Sequence, residues 1–135
     1  MNAAAPMAAV SRRICLLILA LAAGPAAWIG QLVIGYGISS YACFPATAPA
    51  QISPPPGWSG EVAGLLALNL ACLILSLLGA ALAFRLWRRP GAGPAAGRTR
   101  FLAGCGLFSG LGFALAILFD TVPILGVPAC WAIPT

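Results

Sequence analysis

Apolar and polar positions alternate along this chain in long blocks. Three apolar runs cover residues 14–38, 62–84 and 101–126, and polar, proline-rich stretches separate them. The first run follows "SRR", the second lies between Glu61 and "RLWRRP", and the third follows "GRTR". A membrane-spanning helix needs about 20 mainly apolar residues, so each run is long enough to cross. The breaks read "ATAPAQISPPPGWSG" and "RRPGAGPAAGRTR". A triple proline removes three consecutive backbone donors, so the first break is expected to be an extended loop. The pattern predicts an all-α, integral-membrane three-helix bundle. Segments 1–13, 39–61, 85–100 and 127–135 lie outside the hydrocarbon.

Composition supports this reading. The 135 residues are 61% hydrophobic and 7% charged. A soluble domain averages about a quarter charged residues, so a water-facing surface cannot be built from this chain. The first run could instead be a cleaved signal peptide, with its basic start, its core "ICLLILALA" and the small residues "ALA" at 20–22. The apolar character continues through "AAWIGQLVIGYGI", too long for the apolar core of a signal peptide, and a retained span is expected. Pro25 near its middle removes one helical hydrogen bond and is expected to kink the helix or thin it locally.

Charge sets the orientation. All basic residues are arginines: Arg12 and Arg13 before the first run, and Arg85, Arg88, Arg89, Arg98 and Arg100 between the second and third. Three spans put both clusters on one side, and the positive-inside rule makes that side cytoplasmic. The N-terminus is expected in and the C-terminus out, in a bacterial inner membrane. Arginines beside apolar runs favour anionic lipid at the cytoplasmic face over nucleic acid. Trp87 inside, with Tyr41 and Trp58 outside, suit interface anchors.

The cysteines sort by side once the topology is set. Cys43 and Cys130 both fall outside, in an oxidising compartment where an outer pair closes into a disulfide. Such a staple would make spans one and three neighbours, and the long loop it closes is worth about 4–5 kcal/mol at most. A copper or redox pair is the alternative, but a Cu(I) carrier uses soft ligands such as Met near the pair. Met1 and Met7 are the only methionines, and they lie on the other side. Cys15, Cys72 and Cys105 are expected to be small packing residues.

Polar residues inside the runs form a second pattern. Gln31 and Asn69 each lie roughly 7–8 Å outward of the middle of their span, at 1.5 Å per residue. Asp120 and Tyr36 lie further out. Gln31, Asn69, Asp120 and Tyr36 are therefore expected in one outer layer. Polar groups in lipid pair across helix interfaces, and an intramembrane acid is a candidate for function. The layer is either interhelical hydrogen bonding, with Asp120 near water, or a site for a proton, cation or cofactor group. Span three also repeats small residues four apart, Gly106 with Gly110 and Gly112 with Ala116, which lets a helix backbone approach. That helix is span one, a second copy or a foreign subunit.

Catalysis is poorly supported. The chain has no His, two acids, and no phosphate loop, zinc motif or nucleophile elbow. No catalytic residue and no cofactor are expected. The phrases "GPAAWIGQLVIGYGISSYACFP", "GRTRFLAGCGLFSG" and "LAILFDTVPILGVPAC" resemble small three-span proteins of proteobacterial inner membranes. Some of these are similar to short proteins encoded beside haem–copper oxidase subunits and their assembly factors. The resemblance covers nearly the whole chain. It implies an accessory or assembly role near a respiratory oxidase, in contact with a larger membrane complex. The rivals are a self-assembled transporter or pore lined by Gln31, Asn69 and Asp120, and a thiol redox module cycling Cys43 and Cys130.

Overall fold

A computed structural model describes residues 4–43, 60–89 and 94–126. The chain is all-helical there: α1 spans Ala4–Cys43, α2 Gly60–Arg88 and α3 Pro94–Gly126. Each holds a stretch long and apolar enough to cross a membrane, Val10–Ser40, Val62–Arg88 and Ala96–Gly126. The helices run past the apolar blocks. At 40 residues, α1 is about 60 Å long, twice the roughly 30 Å of hydrocarbon.

Local chemistry accounts for the helix ends. Pro94 opens α3, where its missing N–H is no loss and its fixed φ suits the first turn. Arg85 and Arg88 sit in the last turn of α2, where cations complement the helix dipole. Gly126 ends α3 and Pro128 follows two residues later, the usual sign that a helix stops. Pro25 and Pro123 lie inside α1 and α3 without ending them. Neighbouring helices make such prolines tolerable within membranes.

Contacts define the topology. Asn69 of α2 meets Ile117 of α3, and Ser76 meets Gly110, so α2 and α3 are antiparallel. Gly106 approaches Ala20 and Gly24 approaches Gly110, while Gln31 reaches Asp120, so α1 and α3 are parallel. The bundle runs up, down and up. Every arginine is exposed, and all lie at one end: the start of α1, the end of α2 and the start of α3.

One stripe of each helix is buried. In α2 it is Leu65, Asn69, Cys72, Ser76, Gly79, Ala83 and Leu86, and in α1 Ala20, Gly24, Ala27 and Gln31. In α3 it is Ala103, Gly106, Gly110, Ala114 and Ile117. Steps of three and four residues keep a seam aligned as in left-handed coiled helices. Apart from Leu65, Leu86 and Ile117 the stripe is small or polar, whereas Ile18, Leu78, Phe101, Phe108 and Phe119 stand outside. That inversion follows from the solvent. Lipid tails are as apolar as leucine, so helices associate through close backbone packing and hydrogen bonds.

Close approach is tightest at Gly110. A Cβ added there would stand 2.9 Å from the Ala80 Cβ and 3.1 Å from the Ala80 backbone. From the other side, a Cβ on Gly24 would stand 3.1 Å from the Gly110 Cα. All three helices therefore converge on one glycine. Gly79 meets Ala23, whose Cβ would be 2.6 Å from an added methyl.

Candidate functional site

At the end of the bundle remote from the arginines, polar side chains fill the helix interfaces. Asn69 lies on the buried stripe of α2 and is 4% exposed. Its Nδ2 donates to the Ile117 carbonyl at 3.1 Å, and its Oδ1 accepts from Thr121 Oγ1 at 3.3 Å. Both ends of the amide are thus occupied. The Ile117 carbonyl, which also lies 3.5 Å from Thr121 Oγ1, has a second lone pair to offer beyond its helical bond. Two turns below, Ser76 Oγ donates to the Gly110 carbonyl at 2.9 Å. That carbonyl can be reached because Gly110 has no side chain.

The α1–α3 interface is less complete. Gln31 is 6% exposed, and its Nε2 donates to Asp120 Oδ2 across 3.4 Å. Ordinary bonds of this kind measure about 2.7–3.2 Å, so the contact is a long one. Gln31 Oε1 is buried and has no hydrogen-bond partner. Asp120 itself is half-buried. Nearer the middle of the bundle, Trp28 and Phe113 close the same interface with ring centroids 5.6 Å apart.

Of the four polar residues expected in one layer, three come together. Gln31 touches Asp120, and Asn69 touches Thr121, the next residue of α3. Tyr36 is 77% exposed on the outside of α1 and does not join them. Five residues after Gln31, it is rotated about 140° around the helix, at 100° per residue, away from the buried stripe. Thr121 and Ser76 complete the network and carry a sequence signal. Ser76 is seven residues from Asn69 and Thr121 is four from Ile117, spacings that keep residues on one helix face.

The small residues of α3 divide by use. A Cβ on Gly106 would meet the Ala20 carbonyl at 3.2 Å and the Ala83 Cβ at 3.4 Å, so Gly106 and Gly110 serve α1 and α2. Gly112 has nothing within 4 Å of where its Cβ would be, and Ala116 is half-buried. Cys72 is buried in the core, but Cys15 is exposed and Cys105 only partly covered. Packing within the bundle therefore explains Cys72 and not Cys15. The side chain of Cys43 and all of Cys130 fall outside the described residues. Among the described residues, no group of three or more His, Cys, Asp or Glu could hold a metal.

Chemically, this network clamps α2 to α3 and leaves one buried amide oxygen, Gln31 Oε1, without a donor among the described residues. Compared with protein-family models, curated proteins and solved structures, the chain matches none.

Proposed function

We propose that this protein is a non-enzymatic subunit of a bacterial inner membrane, N-in and C-out, that docks on a larger membrane complex in an accessory or assembly role. A respiratory oxidase is the first candidate, on the resemblance of its three sequence phrases. The observation that carries the reading is how the bundle divides its side chains. Asn69, Ser76 and Thr121 bond to neighbouring helices, whereas the exterior is apolar and carries uncovered small residues, Gly112 among them, beside large ones such as Phe108 and Phe119. The polar groups act as internal glue, and the exterior is left for lipid or a partner. A pore between copies fits less well. Gln31 and Asn69 are 6% and 4% exposed within one copy, so the bundle would have to open before they could line a path.

A Cys43–Cys130 staple belongs to the same proposal. The parallel course of α1 and α3 supports it, because Cys43 ends α1 at the end of the bundle where Gly126 ends α3. Four residues further on, Cys130 has a reach of about 13–14 Å beyond Gly126. Protein trapped with a thiol reagent in cells should migrate faster without reductant than with it. Free labelling of both outer thiols would refute the staple.

The subunit reading is tested by mild solubilisation of native membranes, in-membrane cross-linking and mass spectrometry. A stoichiometric complex with the same cross-linked partner before and after solubilisation is expected. Recovery as a lone monomer would overturn the reading.

A further inference from the structure

Among the described residues, no basic side chain reaches Asp120. The chain's basic side chains are seven arginines, with no Lys or His, and all are at the opposite end of the bundle. Arg100 precedes Asp120 by 20 residues on α3, about 30 Å at 1.5 Å per residue. Arg13 is 18 residues before Gln31, and Arg85 is 16 after Asn69, about 27 and 24 Å away by the same rise. An acid in a membrane is expensive unless it is paired. Among the described residues, Asp120 accepts one hydrogen bond, from a neutral amide at 3.4 Å, and that amide's own oxygen is buried without a donor. Among the described residues, the pair is short of a donor for the Gln31 oxygen and has no positive charge beside it.

A path to the pair lies on the surface of α3. Gly112, Ala116 and Asp120 follow one another at four-residue spacing, the spacing of a surface ridge along which helices cross. Gly112 is exposed with open space above it, Ala116 is half-buried and Asp120 is half-buried. The row passes from the outside of the bundle to the edge of the α1–α3 interface. The other small pair, Gly106 and Gly110, is already filled by α1 and α2.

We infer that the Gly112–Ala116–Asp120 row is the seat of a partner's transmembrane helix that carries a Lys or Arg in the membrane half remote from this chain's arginines. The small residues allow backbone contact, and the basic side chain supplies Asp120 with the cation its own chain lacks. The terminal torsion of Gln31 is broad, so its amide oxygen can turn to accept from the same group. The inference rests on the subunit reading and specifies the partner's chemistry.

The test uses the full chain in phosphatidylcholine vesicles with synthetic Leu/Ala transmembrane peptides. One peptide carries a single Lys in the matching half of the membrane, and another carries Leu there. Association is read by fluorescence energy transfer. The Lys peptide should associate at least tenfold more strongly than the Leu peptide, and Asp120→Asn should remove that preference. Gly112→Ile, whose Cβ would have nothing of its own bundle within 4 Å, should leave helicity unchanged and weaken both peptides at least tenfold. Equal association of Lys and Leu peptides, or a Lys preference that survives Asp120→Asn, overturns the inference. So does loss of the preference when phosphatidylethanolamine is added, which would make a lipid amine the occupant. A native complex that co-purifies undiminished with Asp120→Asn would overturn this inference and leave the subunit reading standing.

Discussion

Towards the arginines, Ala20, Ala83, Ala103 and Leu86 form a dry cluster of mostly small residues, and Gly106 lies against Ala20 and Ala83. Towards the opposite end, Ala27, Cys72 and Ile117 form a second cluster, and Gln31, Asn69, Asp120 and Thr121 bond around it. The two halves use the two forces available to helices in lipid, close backbone packing and interhelical hydrogen bonds. Ser76 and Gly110 mark the changeover, because Gly110 gives both its missing side chain to Ala80 and its carbonyl to Ser76. Packing has no slack and fails abruptly when volume is added. A hydrogen bond in lipid is worth less, because a separated helix finds other partners for its polar groups.

The largest effect should therefore come from filling a glycine seam. Gly110→Leu must push Ala80 and its backbone away, and overpacking of this kind costs about 3 kcal/mol. Gly79→Leu should behave alike, since even a methyl there would meet the Ala23 Cβ at 2.6 Å. Gly104→Leu is the contrast, because nothing lies within 4 Å of its Cβ position. Unfolding in mixed micelles should rank Gly110→Leu far below wild type and leave Gly104→Leu within about 0.5 kcal/mol of it. Equal stability of the two variants would show that the glycine seam is not the tightly packed interface its contacts imply.

A smaller effect is expected in the hydrogen-bonded half. Asn69→Leu removes two bonds and leaves the Thr121 hydroxyl to fall back on Ile117, at a cost of about 1–2 kcal/mol. Ser76→Ala removes one bond and should cost about 0.6 kcal/mol. A double-mutant cycle of Asn69→Leu with Thr121→Val isolates the side-chain pair and should give a coupling of about 0.6 kcal/mol. If Asn69→Leu destabilises as much as Gly110→Leu, hydrogen bonding dominates the whole bundle and the comparison fails.

The fold was open to a reader of the sequence because its cause is coarse. Long apolar blocks and clustered arginines force three spans, and no local detail can undo that. The site was only partly open. The rise per residue sets a residue's depth, so Gln31, Asn69 and Asp120 could be aligned by counting along their spans. Rotation about the helix needs a contrast between inside and outside, and here both are apolar. Depth alone therefore groups Tyr36 with residues that face inward, although it stands outside. The division between Gly106–Gly110 and Gly112–Ala116 was equally hidden, since both pairs have the same spacing and only the neighbours tell them apart. The contrast that does exist is small and polar against large, and in α2 it repeats every three or four residues from Asn69 to Ala83.

The smallest effect belongs to a third device, at the arginine end. The Arg100 guanidinium lies 5.2 Å from the centre of the Trp87 ring, and Arg88 lies 5.5 Å from that of Phe84. The two rings are 6.2 Å apart. Arg100 lies near the start of α3 and Trp87 in the last turn of α2, so this contact ties the two helices together just outside the apolar seam. Because both side chains are exposed, the interaction should be worth about 0.5–1 kcal/mol. Arg100→Gln should lower stability by that amount, and a cycle with Trp87→Leu should recover most of it as coupling. Six arginines remain on the same face, so accessibility labelling of single cysteines at the helix ends should show an unchanged orientation. An inverted Arg100→Gln protein would mean that this arginine sets topology, whereas a coupling near zero would reduce the ring contact to an incidental neighbour of the seam.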